Sequence, residues 1–472
     1  MVNGSVNFWD SDVWSFVVVL AVLLGAMLIA NALRRTIRPL RRSLIPSSVL
    51  AGFLVLIAGG VWKRITGESM LSTATLEALT YHGLGLGFVA LSLRTMEKHR
   101  GKKARQDIFS TSTVVVSTYI VQGLVGLAIT LILYYLIHSF AAAGMLLPMG
   151  YGQGPGQAYA WGKNFSDAGF ENGVSYGLSV AACGFISASV GGVIYLQRIA
   201  RKKNVRRTEN AEQVELLTAE HITSPGEIPL SESVDKLTVQ FALVFLAYGA
   251  AYLLMYLIHR ACSGIAFYDN TVRSLMWGFN FLVGTAVAIA LKGLLNFLRK
   301  KSVVKRAYTN SFMLNRISGT MFDLMVAASI AAIDLSAFQN RQFVLPLLLT
   351  CVLGAAATYF YCRWTCKRLF PDYEDKAFLA LYGMLTGTAP TGVILLREID
   401  PSFETPASNN IVYQNLWSII IGFPMLLLMG YVAKSITWSW LCMGIMVLLL
   451  IFMLCLMFRF KLKGMFQKKK EG

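Results

Sequence analysis

Long apolar runs, separated by short loops rich in Arg and Lys, organise the 472-residue chain. A hydrocarbon core of about 30 Å takes about 20 residues of helix to cross, so each run predicts a span. In the first half the runs are Val13 to Asn31, Ile45 to Trp62, Leu76 to Leu93, Thr113 to Ile137 and Val174 to Leu196. In the second they are Leu237 to Ile258, Leu275 to Leu291, Ser311 to Ile333, Phe343 to Tyr361 and Ile411 to Tyr431, and Ile436 to Met457 follows. Composition agrees: 55% of residues are hydrophobic and only 14% charged, with a mean hydropathy of +0.56. The pattern predicts an all-α polytopic membrane protein.

Two further apolar runs carry a break. Gly144 to Trp161 contains Gly152-Gln153-Gly154-Pro155-Gly156-Gln157, and Ala377 to Leu396 contains Gly387-Thr388-Ala389-Pro390-Thr391-Gly392. The two share a Gly-x-x-Pro spacing. Gly and Pro forfeit helix propensity, and Pro also forfeits a backbone donor. In lipid, freed backbone groups are tolerated only where protein or a water-filled cavity satisfies them. Each break is followed by Phe-Glu (Phe170-Glu171 and Phe403-Glu404) and then by another apolar run, with Gly184-Phe185 answering Gly422-Phe423. Paired interruptions at matching places in two halves point to the binding site of a secondary transporter.

The charge of +18 changes the picture through its placement. Basic clusters follow the first, third and sixth runs, at Arg34 to Arg42, Arg94 to Arg105 and Arg198 to Arg207. The positive-inside rule puts all three in the cytoplasm. An outside N-terminus then permits only an odd number of crossings before Arg198, so the Gly144 to Trp161 run reads as a re-entrant hairpin entering from outside. The second half repeats the scheme upside down, with the Ala377 to Leu396 run re-entering from the cytoplasm. Residues 1–203 thus form a first repeat of five transmembrane helices with its hairpin near 144–161. Residues 204–235 form a polar cytoplasmic linker. Residues 236–431 form a second, inverted repeat with its hairpin near 377–396. Residues 432–472 add one helix and a basic cytoplasmic tail. The polar, acidic N-terminal stretch is not that of a cleaved signal. No basic groove with interleaved aromatics suggests nucleic acid, and Cys362-x-x-x-Cys366 lacks the partners of a zinc site.

The Ile45-Pro46 entry to the second span, the Gly-x-Gly-x-Gly hairpin followed by Trp161, Gly169-Phe170 leading to Ala182 and Gly184, and Gly383-x-x-x-Gly387-x-x-Pro390-Thr391 together resemble the bacterial sodium:glutamate symporter family. The resemblance covers roughly Val13 to Tyr431. It implies sodium-driven import of glutamate, commonly by a dimer, in the bacterial inner membrane. Gln153 and Pro155 stand where the family usually has His and Thr, and the final helix and tail exceed its usual shorter form. Another organic anion as cargo, and H⁺ in place of Na⁺ as the coupling ion, stay open.

Hairpin tips present amides, carbonyls and small polar side chains to a ligand. The candidate substrate contacts are Gly152, Gln153, Gly154, Pro155, Gly156 and Gln157 in the first tip, with Thr386, Gly387, Thr388, Pro390 and Thr391 in the second. The bland alternative is that the glycines only let helices pack closely, as suits Gly83, Gly85 and Gly87. Arg397 offers a bidentate grip on a carboxylate or a local ion pair with Glu398 and Asp400. Intramembrane charge is expensive, which makes Asp323 a candidate cation ligand or an interfacial acid. Asn409 and Asn410 open the helix after the second hairpin, either lining a cation path or capping. His82 is a proton relay or a partner of a neighbouring helix. A channel would need a carbonyl filter or charged ring, and neither is present. No catalytic or Walker motif and no cofactor motif appears.

Overall fold

The computed structural model describes residues 9–94, 101–203, 235–303, 306–400 and 405–468, which are helical with no strand among them. The linker up to residue 234, and Phe403 and Glu404, lie outside the described residues. The first half gives α1 (Ser11–Thr36), α2 (Arg38–Ser43), α3 (Ser47–Thr66), α4 (Thr73–Leu93) and α5 (Lys102–Ile137). A 3-10 turn (Ala141–Met145) and a π turn (Pro148–Gly152) lead into α6 (Pro155–Asp167) and α7 (Gly173–Lys203). The second half gives α8 (Lys236–Cys262), α9 (Arg273–Gly278), α10 (Asn280–Lys300), α11 (Ser311–Ala331) and α12 (Arg341–Leu369). The broken pair α13 (Glu374–Thr386) and α14 (Ala389–Arg397) follows, then α15 (Ala407–Val432) and α16 (Ile436–Lys468).

Among the described residues nine helices are long and apolar enough to cross a membrane, and α15, bent by 54° between Asn415 and Trp417, makes a tenth. The protein is an all-α integral membrane protein. Two details differ from the sequence reading. The run beginning at Leu275 is split at Phe279, so the span-length helix is Asn280–Lys300. Helix α11 has the length to cross but not the apolarity of the other ten, because it carries Asn315, Arg316 and Asp323.

The helices sort into two compact units that cut across the sequence halves. One comprises α1 as far as Arg34, α3, α4 and α8–α11; the other comprises α2, α5–α7 and α12–α16. Each half therefore gives its first three long helices to one unit, and its fourth long helix, broken segment and following helix to the other.

In the first unit the glycines of α4 act as packing notches. A Cβ on Gly83 would lie 2.9 Å from Met325 Cβ, and one on Gly87 would lie 2.4 Å from the Phe322 ring, both on α11. Gly85 faces Tyr248 of α8 in the same way. Gly52 of α3 meets Ile330 of α11, where an added Cβ would stand 2.7 Å from Ile330 Cβ. Backbones approach this closely only where one side chain is a hydrogen. His82 Nδ1 lies 3.0 Å from the Tyr248 hydroxyl, which also accepts from Asn280 Nδ2 at 2.9 Å. His82 is thus a partner of neighbouring helices. Lys292 Nζ donates to the carbonyls of Ser92 (2.7 Å) and Arg94 (2.9 Å), closing the C-terminal end of α4, where a cation complements the helix dipole.

The second unit uses the same device around its broken segments. The 3-10 turn closes on α5 where Gly144 meets Gly126; a Cβ on Gly144 would fall 2.0 Å from the Gly126 carbonyl. Thr130 Oγ1 donates to Ala141 O at 2.6 Å and accepts from Gly144 N at 3.2 Å. Helix α6 lies on α7 through Gly162, Gly173 and Gly177, and α13 lies on α14 through Gly383 and Gly392. Cys362 and Cys366 are buried free thiols in this core.

Candidate functional site

The first break forms where the π turn ends. Gln153 N donates to Pro148 O at 3.1 Å. Gly154 then takes φ +90°, ψ −179°, a backbone region costly for residues with a Cβ. Pro155 starts α6 with its φ already suited to a first helical turn. The second break needs no positive φ. Gly387 takes φ −132°, ψ −103°, and Thr388 is extended at φ −144°, ψ 168°, between the last bond of α13 (Gly387 N to Gly383 O, 3.1 Å) and the first of α14 (Gly392 N to Thr388 O, 3.1 Å). A Cβ on Gly387 would lie 3.1 Å from Thr391 Oγ1, 3.2 Å from Gly383 O and 3.2 Å from Phe185 Cδ1.

The fold brings the two breaks into contact. A Cβ on Gly154 would lie 3.4 Å from Thr388 Cγ2 and 3.9 Å from Gly387 O. Two helix N-termini, of α6 and α14, therefore start from one place. Neither has a side-chain cap, and helix N-termini carry a partial positive charge. Gly152, Gly154, Gly156, Gln157, Thr386, Gly387 and Thr391 are buried, whereas Gln153 and Thr388 are half-buried and Pro390 is exposed. Thr386 Oγ1 donates back to Tyr382 O at 2.7 Å, and the Thr388 and Thr391 hydroxyls pair at 3.2 Å. Helix α7 seals one side, with Gly184 so close to Thr386 that a Cβ there would stand 2.3 Å from its carbonyl oxygen. Gly422, its sequence counterpart, instead faces Val116.

Sequence reasoning missed Gln122. This fully buried side chain of α5 donates Nε2 to Leu385 O (2.8 Å), two residues before Gly387, and to Thr358 Oγ1 (3.0 Å). Its Oε1 has no hydrogen-bond partner and faces Gly152, where an added Cβ would stand 3.1 Å from it. One turn away, the Tyr119 hydroxyl donates to Gly152 O at 3.0 Å. One helix thus holds the carbonyls that precede both breaks. A glutamine within an apolar run, noticed as an intramembrane polar group, was the available signal.

The other candidates stand elsewhere. Arg397 is exposed at the C-terminal end of α14, about 12 Å along the helix from its start at 1.5 Å per residue. Asn409 is exposed. Asn410 is buried at the opposite end of α13 from the break, donating Nδ2 to the Tyr373 hydroxyl (3.1 Å), which donates to Asp107 Oδ2 (2.9 Å). Asp323 is exposed on α11, in the unit without the breaks. Beyond Arg397, at the end of the broken pair away from the break, buried Asp400 accepts from Thr405 N (3.2 Å) and pairs with Lys376 (3.3 Å). Burial by itself raises the Asp400 carboxyl, but the Thr405 bonds and Lys376 outweigh it and hold it below the usual carboxylate range.

A family model described as sodium/glutamate symporter matches residues 13–405. The chain belongs to the sodium/glutamate symporter family. It is therefore a membrane transporter. The match takes in both breaks and Gln122 and ends before α15 and α16. No curated protein matches the chain.

Proposed function

We propose that this family member imports glutamate together with Na⁺ across a bacterial inner membrane by alternating access. The two broken segments act as re-entrant hairpins of inverted repeats, with the N-terminus outside and the C-terminus cytoplasmic. The observation that carries this reading is the contact between buried Gly154 and half-buried Thr388, which joins two uncapped helix N-termini inside the family-matched region. Helix N-termini attract carboxylate, and an unwound stretch supplies carbonyl oxygens to a cation. Cargo takes its place at the tips, among Gly152, Gln153, Gly154, Pro155, Gly156, Gln157, Thr386, Gly387, Thr388, Pro390 and Thr391. The tips touch in this structure, so they part by the thickness of the cargo when it binds. Arg397, about 12 Å along α14 from the tips, meets the cargo carboxylate on its path rather than at the tips, and Asp323, Asn409 and Asn410 serve the cation path. The functional form is a homodimer.

A second reading is supported by Gln153 and Pro155, which replace the residues usual in the family's first tip: the cargo is then another organic anion, or H⁺ the coupling ion. Uptake of radiolabelled L-glutamate into proteoliposomes, with and without an inward Na⁺ gradient, separates the readings. Na⁺-stimulated accumulation is expected. Its absence in vesicles holding folded protein overturns the glutamate–Na⁺ reading, and competition by other carboxylates or stimulation by a proton gradient then identifies the alternative.

A further inference from the structure

Within the unit that holds the breaks, a separate cavity of about 400 Å³ opens where α5 ends and α12 and α16 begin. In size it lies in the ordinary range for small-molecule sites. Its wall includes Ser139, 2% exposed, whose Oγ has no hydrogen-bond partner. Buried hydroxyls are almost always satisfied, so an orphaned one on a cavity wall marks a place where a ligand or water supplies the bond. The starts of α12 and α16 also border the cavity, at Asn340 and Ser435. Asn340 Oδ1 caps its own helix by accepting from Gln342 N at 2.8 Å, which leaves its Nδ2 free to donate. Ser435 Oγ likewise caps α16 by accepting from Trp438 N at 3.2 Å, so both helix starts act on an anion through the partial positive charge of the N-terminus and not through free first-turn amides.

The wall carries the opposite charge as well. Glu171 lines the cavity, is exposed, and has no ion-pair partner among the described residues. Phe140 and Phe170 stack at 4.6 Å, with an interplanar angle of 6°, and form an apolar floor. The ensemble offers a hydroxyl and two helix starts for an anion, a carboxylate for a cation, and an aromatic surface for methylenes. An α-amino acid has that composition.

We propose that this cavity is a second site for an α-amino acid, which binds its α-carboxylate at Ser139 and the start of α12 and its α-ammonium at Glu171. The assignment of glutamate as its occupant rests on the reading of the breaks as a glutamate site. Recognition is of the head group, so L-glutamine competes here, while glutarate, which lacks the ammonium, does not. With Thr113 to Ile137 running outward in the topology above, the cavity faces the outside and receives cargo before the breaks do.

Equilibrium binding of radiolabelled L-glutamate to the purified full chain in Na⁺ tests this. Two glutamates per chain are expected, one displaced by L-glutamine and not by glutarate. Ser139→Ala and Glu171→Gln each lose that one, and Gly387→Ala loses the other. Because the Ser139 hydroxyl has no partner, Ser139→Ala is expected to leave the ligand-free melting temperature unchanged or raised, which separates lost binding from lost folding. A single glutamate per chain, lost only in Gly387→Ala, overturns the second site and leaves the break site standing. A single glutamate lost only in Ser139→Ala and Glu171→Gln upholds the cavity and overturns the break site. No binding in the wild type overturns both.

Discussion

Gln122 Nε2 donates to the carbonyl of Leu385 at 2.8 Å while its Oε1 abuts Gly152. A single amide on α5 thereby sets the spacing of two interruptions that lie in different halves of the chain. Replacing Gln122 with Leu, of similar bulk, leaves the Leu385 carbonyl without its donor in a dry core, which costs about 1–3 kcal/mol. The expected result is a lower melting temperature and several-fold slower uptake. Glutamate-independent melting unchanged from wild type, with normal uptake, would show that the amide positions nothing.

Gly154 is the tip position of the first break at which only glycine fits without strain. At φ +90°, ψ −179° an alanine enters a region confined essentially to glycine, at a cost of about 1–3 kcal/mol, and its methyl touches Thr388. Gly154→Ala is expected to lose most uptake while still inserting into the membrane. Gly387→Ala acts by crowding: its Cβ presses at once on Thr391, Gly383 and Phe185. Measuring uptake beside the amount of folded protein distinguishes either effect from misfolding, and normal uptake in both variants would remove the breaks from the mechanism.

Much of this was legible in the chain. Gly and Pro inside an apolar run announce a break because each lacks something a membrane helix needs, and so Gly154 and Gly387 stood out. Glycine spacing also foretold the close packing of Gly83 and Gly87. Gln122 could be noticed as an amide within an apolar run, but among Ser117, Thr118 and Thr130 of the same helix it carries no periodic signal, and only its partners reveal its role. The same limit applied to Asn410, whose tie to Tyr373 and Asp107 joins segments far apart in sequence. The sorting of helices into two units was equally hidden, since a run apolar on every side does not say which neighbour it faces. The split at Phe279 and the weak apolarity of α11 shifted or blurred span edges for local reasons.

Asp400 gives a pH test. Its folded-state carboxyl titrates below its unfolded value, so its contribution is present above the unfolded value, near 3.9, and is lost as pH falls through the folded one. Thermal unfolding followed downward from about pH 5 should show a loss of stability that Asp400→Asn lacks, the variant being less stable than wild type at pH 7. An identical acid limb in both proteins would mean that Lys376 and Thr405 do not stabilise the ionised form.

Asp323 lies on α11, in the unit that lacks the breaks. If it serves the cation path, Asp323→Asn raises the Na⁺ concentration for half-maximal uptake by roughly tenfold, the loss of about 1.4 kcal/mol of cation stabilisation. Unchanged Na⁺ dependence would make it an interfacial acid on an amphipathic helix.

The most direct test of the account is protection at the breaks themselves. A Thr388→Cys variant, with the seven native cysteines replaced, is labelled by a small thiol reagent and the modified peptide quantified. Na⁺ with L-glutamate is expected to slow labelling at least tenfold relative to Na⁺ alone. Labelling that glutamate leaves unchanged, in a variant that still accumulates it, would contradict a cargo site at the contact of Gly154 and Thr388.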